Sequence, residues 1–260
     1  MPTRLLGLPP WLPGVASMVD VRLLAMTDDP EELVCRCARN DYYDGKIPDD
    51  DFPTVMNGVG GDTVDEKQAT LVKKLMLRGH WGVFEHPQMT LWFRVSRSCM
   101  AQITRHRHVS FDIQSMRYVD FSEVDPTSEE DIKRPRTWDQ EKVSTREGTR
   151  AIEGPVEERR ELIDETYERC VEAYNQLVDA GMPKEDARML LPIGTKVNIT
   201  ASMNVRAALH IISMRGAGDA QAEIQELADG VRDVLEEHMP TTMRIWNENQ
   251  KAIERQRLSP

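Results

Sequence analysis

The clearest hydrophobic pattern in the chain runs from Gln88 to Arg97, where apolar and polar positions alternate without a break. The apolar positions of this segment are Met89, Leu91, Phe93 and Val95. Successive side chains of a β-strand point to opposite faces of the sheet, so a period of two predicts a strand with one buried face. The segments 19–26 and 114–119 also have strand-like composition and predict two further strands.

Helices are predicted where apolar residues recur at helical spacing between start and stop signals. Asp29 is predicted to cap a helix that runs to about Tyr42. Thr63 and Glu66 have the spacing of a capping box, for a helix that ends at Gly79. The other predicted helices begin at Ser98, Val156, Pro183, Asn204 and Asp219, and the first of these is short and carries Gln102, Arg105 and His106.

The order of these elements predicts an α+β fold, an antiparallel sheet flanked by helices. The helix predicted at 204–214 is apolar on nearly every side, which is typical of a buried helix. Residues 120–155 are rich in charged and turn-forming residues and are predicted to be a polar insertion in a single domain that spans 19–260. Residues 1–18 are predicted to be a disordered extension or a mis-called start, because Met18 stands directly before the first strand.

Composition narrows the class of protein. The chain is 40% hydrophobic, and no apolar run approaches the roughly 20 residues that cross a bilayer, so we expect a soluble protein without a membrane partner. The formal net charge of −11 argues against nucleic acid as a partner, because phosphate backbones need a broad positive surface. An acidic excess with few lysines is also what a salt-rich cytoplasm would favour.

The cysteines and histidines do not indicate a metal site. The cysteines are Cys35, Cys37, Cys99 and Cys170, and their spacing matches neither a zinc motif nor a redox pair. We expect buried, reduced thiols and a cytoplasmic location. His80 and His86 flank a short segment that ends in Glu85, but a metal would need both histidines brought together across a turn, so no metal is predicted.

A basic cluster from Arg105 to Tyr118 contains three arginines and two histidines in an acidic chain. A solvated helix end is one explanation, and a bound small anion is the other. Apolar residues, including Val109 and Ile113, interrupt the cluster and predict partial burial, and a buried arginine needs a partner. Arginine binds phosphates and carboxylates through paired N–H groups, so the cluster favours an anion site.

A second arginine-bearing segment spans 188–215. The chain has neither the G-x-G-x-x-G nor the G-x-x-x-x-G-K-[ST] phosphate-binding pattern, and it has no G-x-S-x-G nucleophile elbow. Two arginine segments with nearby amides suit a nucleotide together with a dinucleotide-like cofactor. The residue pattern alone does not identify the ligands further.

The cluster resembles the signature of the flavin-dependent thymidylate synthases, which is Arg-His-Arg, seven residues, then Ser-x-Arg. Here it reads Arg105-His106-Arg107, seven residues, then Ser115-Met116-Arg117. The segment from His80 to His86 is similar to an upstream family segment, and 183–192 and 204–215 are similar to its nucleotide-binding half. The resemblance covers roughly 19–240, apart from 120–155.

The resemblance implies that 19–260 is a catalytic domain that methylates dUMP to dTMP. The carbon donor would be 5,10-methylenetetrahydrofolate, and NADPH would reduce a bound FAD. It also implies a homotetramer with sites shared between subunits and no cysteine nucleophile. The alternatives are another flavin- and folate-dependent enzyme acting on a pyrimidine nucleotide, and a flavin- or nucleotide-binding module without turnover.

The resemblance also implies site residues. Those matched to flavin contacts are His80, Arg105, His106, Arg107, Asn204, Val205, Arg206 and His210. Those matched to dUMP contacts are Gln102, Arg105, Ser115, Met116, Arg117, Arg188 and Arg215. Arg215 matches the cation that polarises the uracil ring, so it is the predicted catalytic residue.

Four positions, at three places in the chain, depart from the family pattern. Gly82 stands where Ser or Thr commonly contacts flavin, and Asp112-Ile113 stands where Asn-Glu is frequent. His210 replaces a frequent Asn. The first departure leaves only backbone contact with flavin, and the second removes one polar contact with a ligand.

Overall fold

A computed structural model describes residues 19–135, 138, 140–145, 148–218 and 220–253. The hypothesis about residues 1–18 and the predicted cap at Asp219 both fall outside these ranges.

A four-stranded antiparallel sheet forms the centre of the fold. Its strands are β1 (Asp20–Met26), β2 (Gln88–Ser96), β3 (Val109–Ile113) and β6 (Lys196–Asn204), whereas β4 (Lys142–Thr145) and β5 (Gly148–Ala151) form a separate hairpin. The order in the main sheet is β1-β2-β6-β3. Strand β6 therefore lies between β2 and β3, and it pairs Met203 with both Met89 and Val109.

The predictions for β1 and β2 are confirmed, and the prediction for 114–119 is wrong. In β2 the four alternating apolar side chains are all buried, as the period of two predicts. The third strand comes earlier, at 109–113. It stops there because the Gln114 side chain accepts a hydrogen bond from the Asn198 amide, and the chain then turns as Val119 donates to the Ser115 carbonyl.

The hydrophobic pattern read above contains no prediction for β6, although this strand holds the sheet together. Its buried apolar residues are Val197, Ile199, Ala201 and Met203, and polar residues alternate with them. The alternation was therefore present. The small Ala201 weakens it, because alanine lacks the bulk of the β-branched and aromatic residues that usually mark a strand.

Helices surround the sheet. They are α1 (Pro30–Arg39), α2 (Phe52–Val55), α3 (Val64–Arg78), α4 (Arg97–Ile103), α5 (Val156–Asp179), α6 (Lys184–Ala187), α7 (Val205–Arg215), α8 (Ala222–His238) and α9 (Pro240–Ile253). Short 3₁₀ segments occupy Trp81–Glu85 and Arg188–Leu190. Helix α9 lies beyond the last predicted helix. One hydrophobic cluster joins the sheet to the helices, and α7 lies within it with Leu209 and Ile211 buried.

The predicted caps have mixed outcomes. The capping box is confirmed, since Glu66 N–H donates to Thr63 Oγ1 at 3.2 Å and Thr63 N–H donates to Glu66 Oε2 at 3.1 Å. Asp29 precedes α1 but makes no side-chain cap, because its backbone is left-handed (φ 44°) and a capping residue needs an extended one. The predicted cap at Ser98 is wrong: Ser96 caps α4 by accepting from the Cys99 amide at 3.1 Å.

The predicted insertion at 120–155 is only partly a surface feature. Phe121 and Ile132 are buried in the main core, and Ile132 forms a bridge with Thr195 at the start of β6. Arg134 is buried as well, with its guanidinium paired to Asp164 at 2.6 Å. Apolar anchors therefore fasten this polar segment to the domain. No helix in the described ranges has the length and apolar character to cross a membrane.

Candidate active site

The loop that follows α4, the first residue of β3 and one side of α7 enclose a cleft of about 320 Å³. Its lining residues are Arg105, His106, Arg107, His108, Val109, Ala207, His210, Met214 and Arg215. Helix α4 ends at Ile103, so it carries Gln102, but Arg105 and His106 lie in the following loop. The prediction that the helix carries these two residues is wrong. The loop leads directly into β3, so α4 fixes one of its ends and β3 fixes the other.

Arg215 lies at the carboxyl end of α7 and reaches back across the cleft. Its Nε donates to His106 Nε2 at 3.0 Å, and its Nη2 donates to the Gln102 carbonyl at 3.1 Å. The Gln102 side-chain amide in turn contacts the Gln221 side chain, immediately before α8. Arg215 is thus oriented by the α4 segment, and α8 orients that segment.

Two imidazoles meet in the floor of the cleft. The rings of His106 and His210 lie edge to face, with centroids 5.4 Å apart. Burial, then the nearby Arg215 charge and His210, lower the pKa of His106 to about 4. Burial also lowers the pKa of His210, with Arg215, Arg206 and His108 adding to the effect. Both rings are therefore neutral at physiological pH.

Arg105 and Arg107 supply positive charge at the mouth of the cleft. Both side chains are exposed, and within the described part of the chain neither makes an ion pair. Two guanidinium groups with uncommitted N–H donors, above two neutral imidazoles, form a site suited to an anion. The solvated helix end considered above does not fit, because this loop lies against α7.

A second group of predicted site residues meets around Glu185. Arg117 Nε donates to Glu185 Oε2 at 2.5 Å, and Arg188 Nε donates to the Glu185 carbonyl at 3.0 Å. Ser115 Oγ accepts from the Arg117 amide at 3.3 Å, which orders the turn that carries the arginine. The structure thus brings Ser115, Arg117 and Arg188, three residues that the resemblance matches to dUMP contacts, to one place beside Glu185.

A third group lies where α7 begins. Arg206 pairs with Glu85 at 2.5 Å, which joins α7 to the 3₁₀ segment after the exposed His80. Asn204 caps α7 by accepting from the Ala207 amide at 2.8 Å. A direct side-chain role for Val205 does not fit this structure, because its side chain is fully buried in the core and its amide donates to the Pro87 carbonyl.

Met116 is also a core residue in this structure. Its side chain is 5% exposed and belongs to the main hydrophobic cluster. The predicted substrate contact would therefore have to come from its backbone, while its side chain anchors the turn between Ser115 and Arg117.

Several residues that shape the site were not predicted as site residues. They are Glu85, His108, Glu185, Ala207, Met214 and Gln221. The carboxylates carry a signal that could have been used, because an arginine near an anion site is often held by an acidic neighbour. Gln221 carries none, since only tertiary packing brings it to Gln102.

The cysteines lie apart from this chemistry. Burial raises the pKa of Cys35 to about 12, and it raises the pKa of Cys99 further still. No cysteine lines the cleft in the described structure, and no described group of His, Cys, Asp and Glu is arranged to hold a metal ion. A thiolate nucleophile is therefore not available at this site.

Fold and site together define a class: an α+β protein whose arginine- and histidine-lined clefts suit anionic nucleotide ligands. Known proteins make the class more specific. The family described as "Thymidylate synthase complementing protein" matches residues 22–241. The flavin-dependent thymidylate synthase of Haloarcula marismortui is 45% identical over 93% of this chain and 100% of its own length.

Further relatives agree. The protein of the same name from Halobacterium salinarum is 44% identical over 92% of this chain and 99% of its own length. A solved UMP/dUMP methylase, PolB from Streptomyces cacaoi, shares the fold with a TM-score of 0.72 at 23% identity, covering 88% of this chain and 95% of that one. This chain therefore belongs to the flavin-dependent thymidylate synthase family, which confirms the resemblance and the predicted α+β fold.

Proposed function

We propose that this protein is a flavin-dependent thymidylate synthase that reductively methylates dUMP to dTMP. FAD is the cofactor, 5,10-methylenetetrahydrofolate donates the carbon, and NADPH supplies the reducing equivalents. The observation that carries the proposal is the joint presence of the full signature and a cleft that gathers its Arg105-His106-Arg107 part against Arg215. Relatives at 45% and 44% identity bear the name of this activity.

The residues of the cleft fit FAD. Within the described residues, Arg105 and Arg107 present uncommitted guanidinium groups for phosphate oxygens, and the neutral His210 presents a flat ring for an aromatic system. Asn204 and Arg206 lie at the amino end of α7. Arg206 pairs with Glu85, and His80 stands directly before the 3₁₀ segment that contains Glu85. When bound, the flavin supplies the hydride chemistry that the side chains of this chain lack.

The second group suits the phosphate of dUMP. Arg117 and Arg188 both approach Glu185, which holds them in place before the ligand arrives. Phosphate can then displace the exposed carboxylate from Arg117, because a dianion forms stronger charge-assisted hydrogen bonds. Ser115 adds a hydroxyl donor, and Gln102 adds an amide beside Arg215.

Arg215 is the group best placed to act on the pyrimidine. A fixed cation next to the uracil ring stabilises negative charge as it develops on the ring and so raises the reactivity of C5. Its hydrogen bonds to His106 and Gln102 hold it in advance of the reaction. The high pKa values of the buried thiols are consistent with a mechanism in which no cysteine attacks the base.

The test is dTMP formation by the purified protein from dUMP, 5,10-methylenetetrahydrofolate and NADPH, with and without added FAD, at low and high salt. FAD-dependent dTMP is the expected result. A protein that binds flavin and oxidises NADPH but forms no dTMP would act on another pyrimidine acceptor. A yellow protein without NADPH oxidation would be a binding module. Either result would refute the proposal.

Assembly and location are part of the same proposal. We expect a cytoplasmic homotetramer whose sites are shared between subunits, with 19–260 as its catalytic domain. Exposed apolar side chains beside Arg188 support a contact there, since Met189 is 81% exposed and Ile193 is 68% exposed. Light scattering of the eluting protein measures the mass, and a monomer would contradict the tetramer.

A further inference from the structure

We propose that His106 is a positioning residue for Arg215, which it orients as a neutral hydrogen-bond acceptor. This inference rests on the proposed function, since Arg215 is the group expected to polarise the pyrimidine. It assigns His106 a role distinct from direct contact with the flavin. One hydrogen bond, between the side chains of Arg215 and His106, joins residues that are 109 positions apart in the chain.

The direction of this hydrogen bond fixes the chemical state of the histidine. An arginine side chain can only donate, so the contact of 3.0 Å from Arg215 Nε needs a lone pair on His106 Nε2. The imidazole must therefore be unprotonated at Nε2. Its surroundings favour that state: His106 is 8% exposed and lies beside the Arg215 charge. A protonated ring would place two cations 3.0 Å apart.

Two fixed points determine the plane of the guanidinium. His106 holds Nε, and the Gln102 carbonyl holds Nη2 at 3.1 Å. Within the described chain these are the hydrogen bonds of the Arg215 side chain, so Nη1 remains available to a ligand. Without the His106 contact, Arg215 would turn about the remaining bond and its free donors would lose their direction.

His106 is itself well anchored. Its amide donates to the Ile103 carbonyl at 3.0 Å, which ties it to the last turn of α4. Its ring packs edge to face against His210 of α7. The charged and titratable groups around it are Arg215 and His210 on α7, and Arg105, Arg107 and His108 on its own loop. All are basic, so they favour the neutral acceptor.

The experiment compares His106→Leu, which removes the acceptor, with His106→Gln, which offers a side-chain oxygen in its place. The direct readout is the ¹⁵N–¹H NMR signal of the Arg215 Nε–H, assigned through its loss in Arg215→Lys. We expect the signal in the wild type and in His106→Gln, and its loss by solvent exchange in His106→Leu. His238→Leu, an exposed histidine at the end of α8, is the matched control and keeps the signal.

A second readout separates positioning from flavin contact. We expect His106→Leu to lower kcat/KM for dUMP by roughly 10- to 100-fold, as for a misplaced active-site group, with flavin occupancy retained, and His106→Gln to recover most of the loss. When Arg215 is already replaced by Ala, adding His106→Leu should not weaken dUMP binding further. An undiminished effect in that background, or loss of flavin from His106→Leu, would overturn the proposal.

The two proposals fail in different ways. A wild-type protein that forms no dTMP refutes the function, yet the Arg215 Nε–H signal still tests the positioning. Should His106→Leu not fold, the wild-type signal can be followed with decreasing pH. It must weaken as His106 is protonated, well below the ordinary histidine pKa. A signal unchanged through that protonation, or equal in His106→Leu and wild type, would refute the role of His106.

Discussion

Replacing Glu223 with Ala should destabilise the whole domain and disturb the cleft from a distance. Glu223 lies in the first turn of α8 and is 3% exposed. Its carboxylate accepts from the Ser96 amide at 2.7 Å and from Ser96 Oγ at 2.5 Å. Because Ser96 Oγ also caps α4, one carboxylate holds α8, the end of β2 and the helix that leads into the cleft.

The magnitude follows from these contacts. Each hydrogen bond to a charged group contributes about 1.5–3 kcal/mol, and the Ser96 amide would be left buried without a partner. Removing the carboxylate also removes the cost of burying its charge, which offsets part of this loss. We therefore expect Glu223→Ala to lower the free energy of unfolding by about 3 kcal/mol. For a chain of this size that lowers Tm by roughly 6–12 °C. Glu223→Gln keeps one acceptor but sets an N–H group against a donor, so it should cost about half as much.

The assay is urea and thermal unfolding of the FAD-loaded protein, followed by circular dichroism. Glu237→Ala is the matched control, an exposed glutamate on the same helix whose loss should change stability by under about 0.5 kcal/mol. Activity well below Tm should fall in Glu223→Ala as the α4 segment loosens. If Glu223→Ala and the Glu237→Ala control have the same urea and thermal unfolding midpoints, this buried carboxylate does not stabilise the domain as expected.

Three further predictions concern charge. Arg215→Ala should keep its flavin and fold but lower kcat for dTMP about 100- to 1000-fold, as for loss of one fixed electrostatic contact, and near-normal turnover would overturn the assignment. The pKa of His106 is lowered on folding, so its contribution to stability is intact above pH ~6.5 and is lost as pH falls towards about 4, because only the unfolded chain takes up the proton. Urea midpoints of His106→Gln should therefore decline less steeply with acid than those of the wild type, and equal slopes would contradict this. The net charge of −11 predicts that the unfolding midpoint rises with KCl as repulsion is screened, and full stability of the ligand-free protein in low salt would refute a salt requirement.

The sequence pattern was sufficient to predict those features of the fold whose stabilising contacts are local. Alternation in β2 predicted its buried face, and the spacing of Thr63 and Glu66 predicted a capping box that forms as expected. These features depend on neighbours within a few residues along the chain. The signature from Arg105 to Arg117 likewise identified the family, because its residue types and spacing are specific in themselves.

Tertiary structure decided the features that depend on distant partners. Ser96 rather than Ser98 caps α4 because the chain leaves β2 there and Glu223 of α8 meets it. Strand β6 is central because it completes the hydrogen bonds of both β2 and β3, although its own side chains give a weak pattern. The site follows the same rule: sequence could name His106 and Arg215 separately, but only packing of α7 against the α4 loop joins their side chains. Local spacing determines the Thr63–Glu66 capping box and the buried face of β2, whereas contacts between distant segments are set by how the core packs.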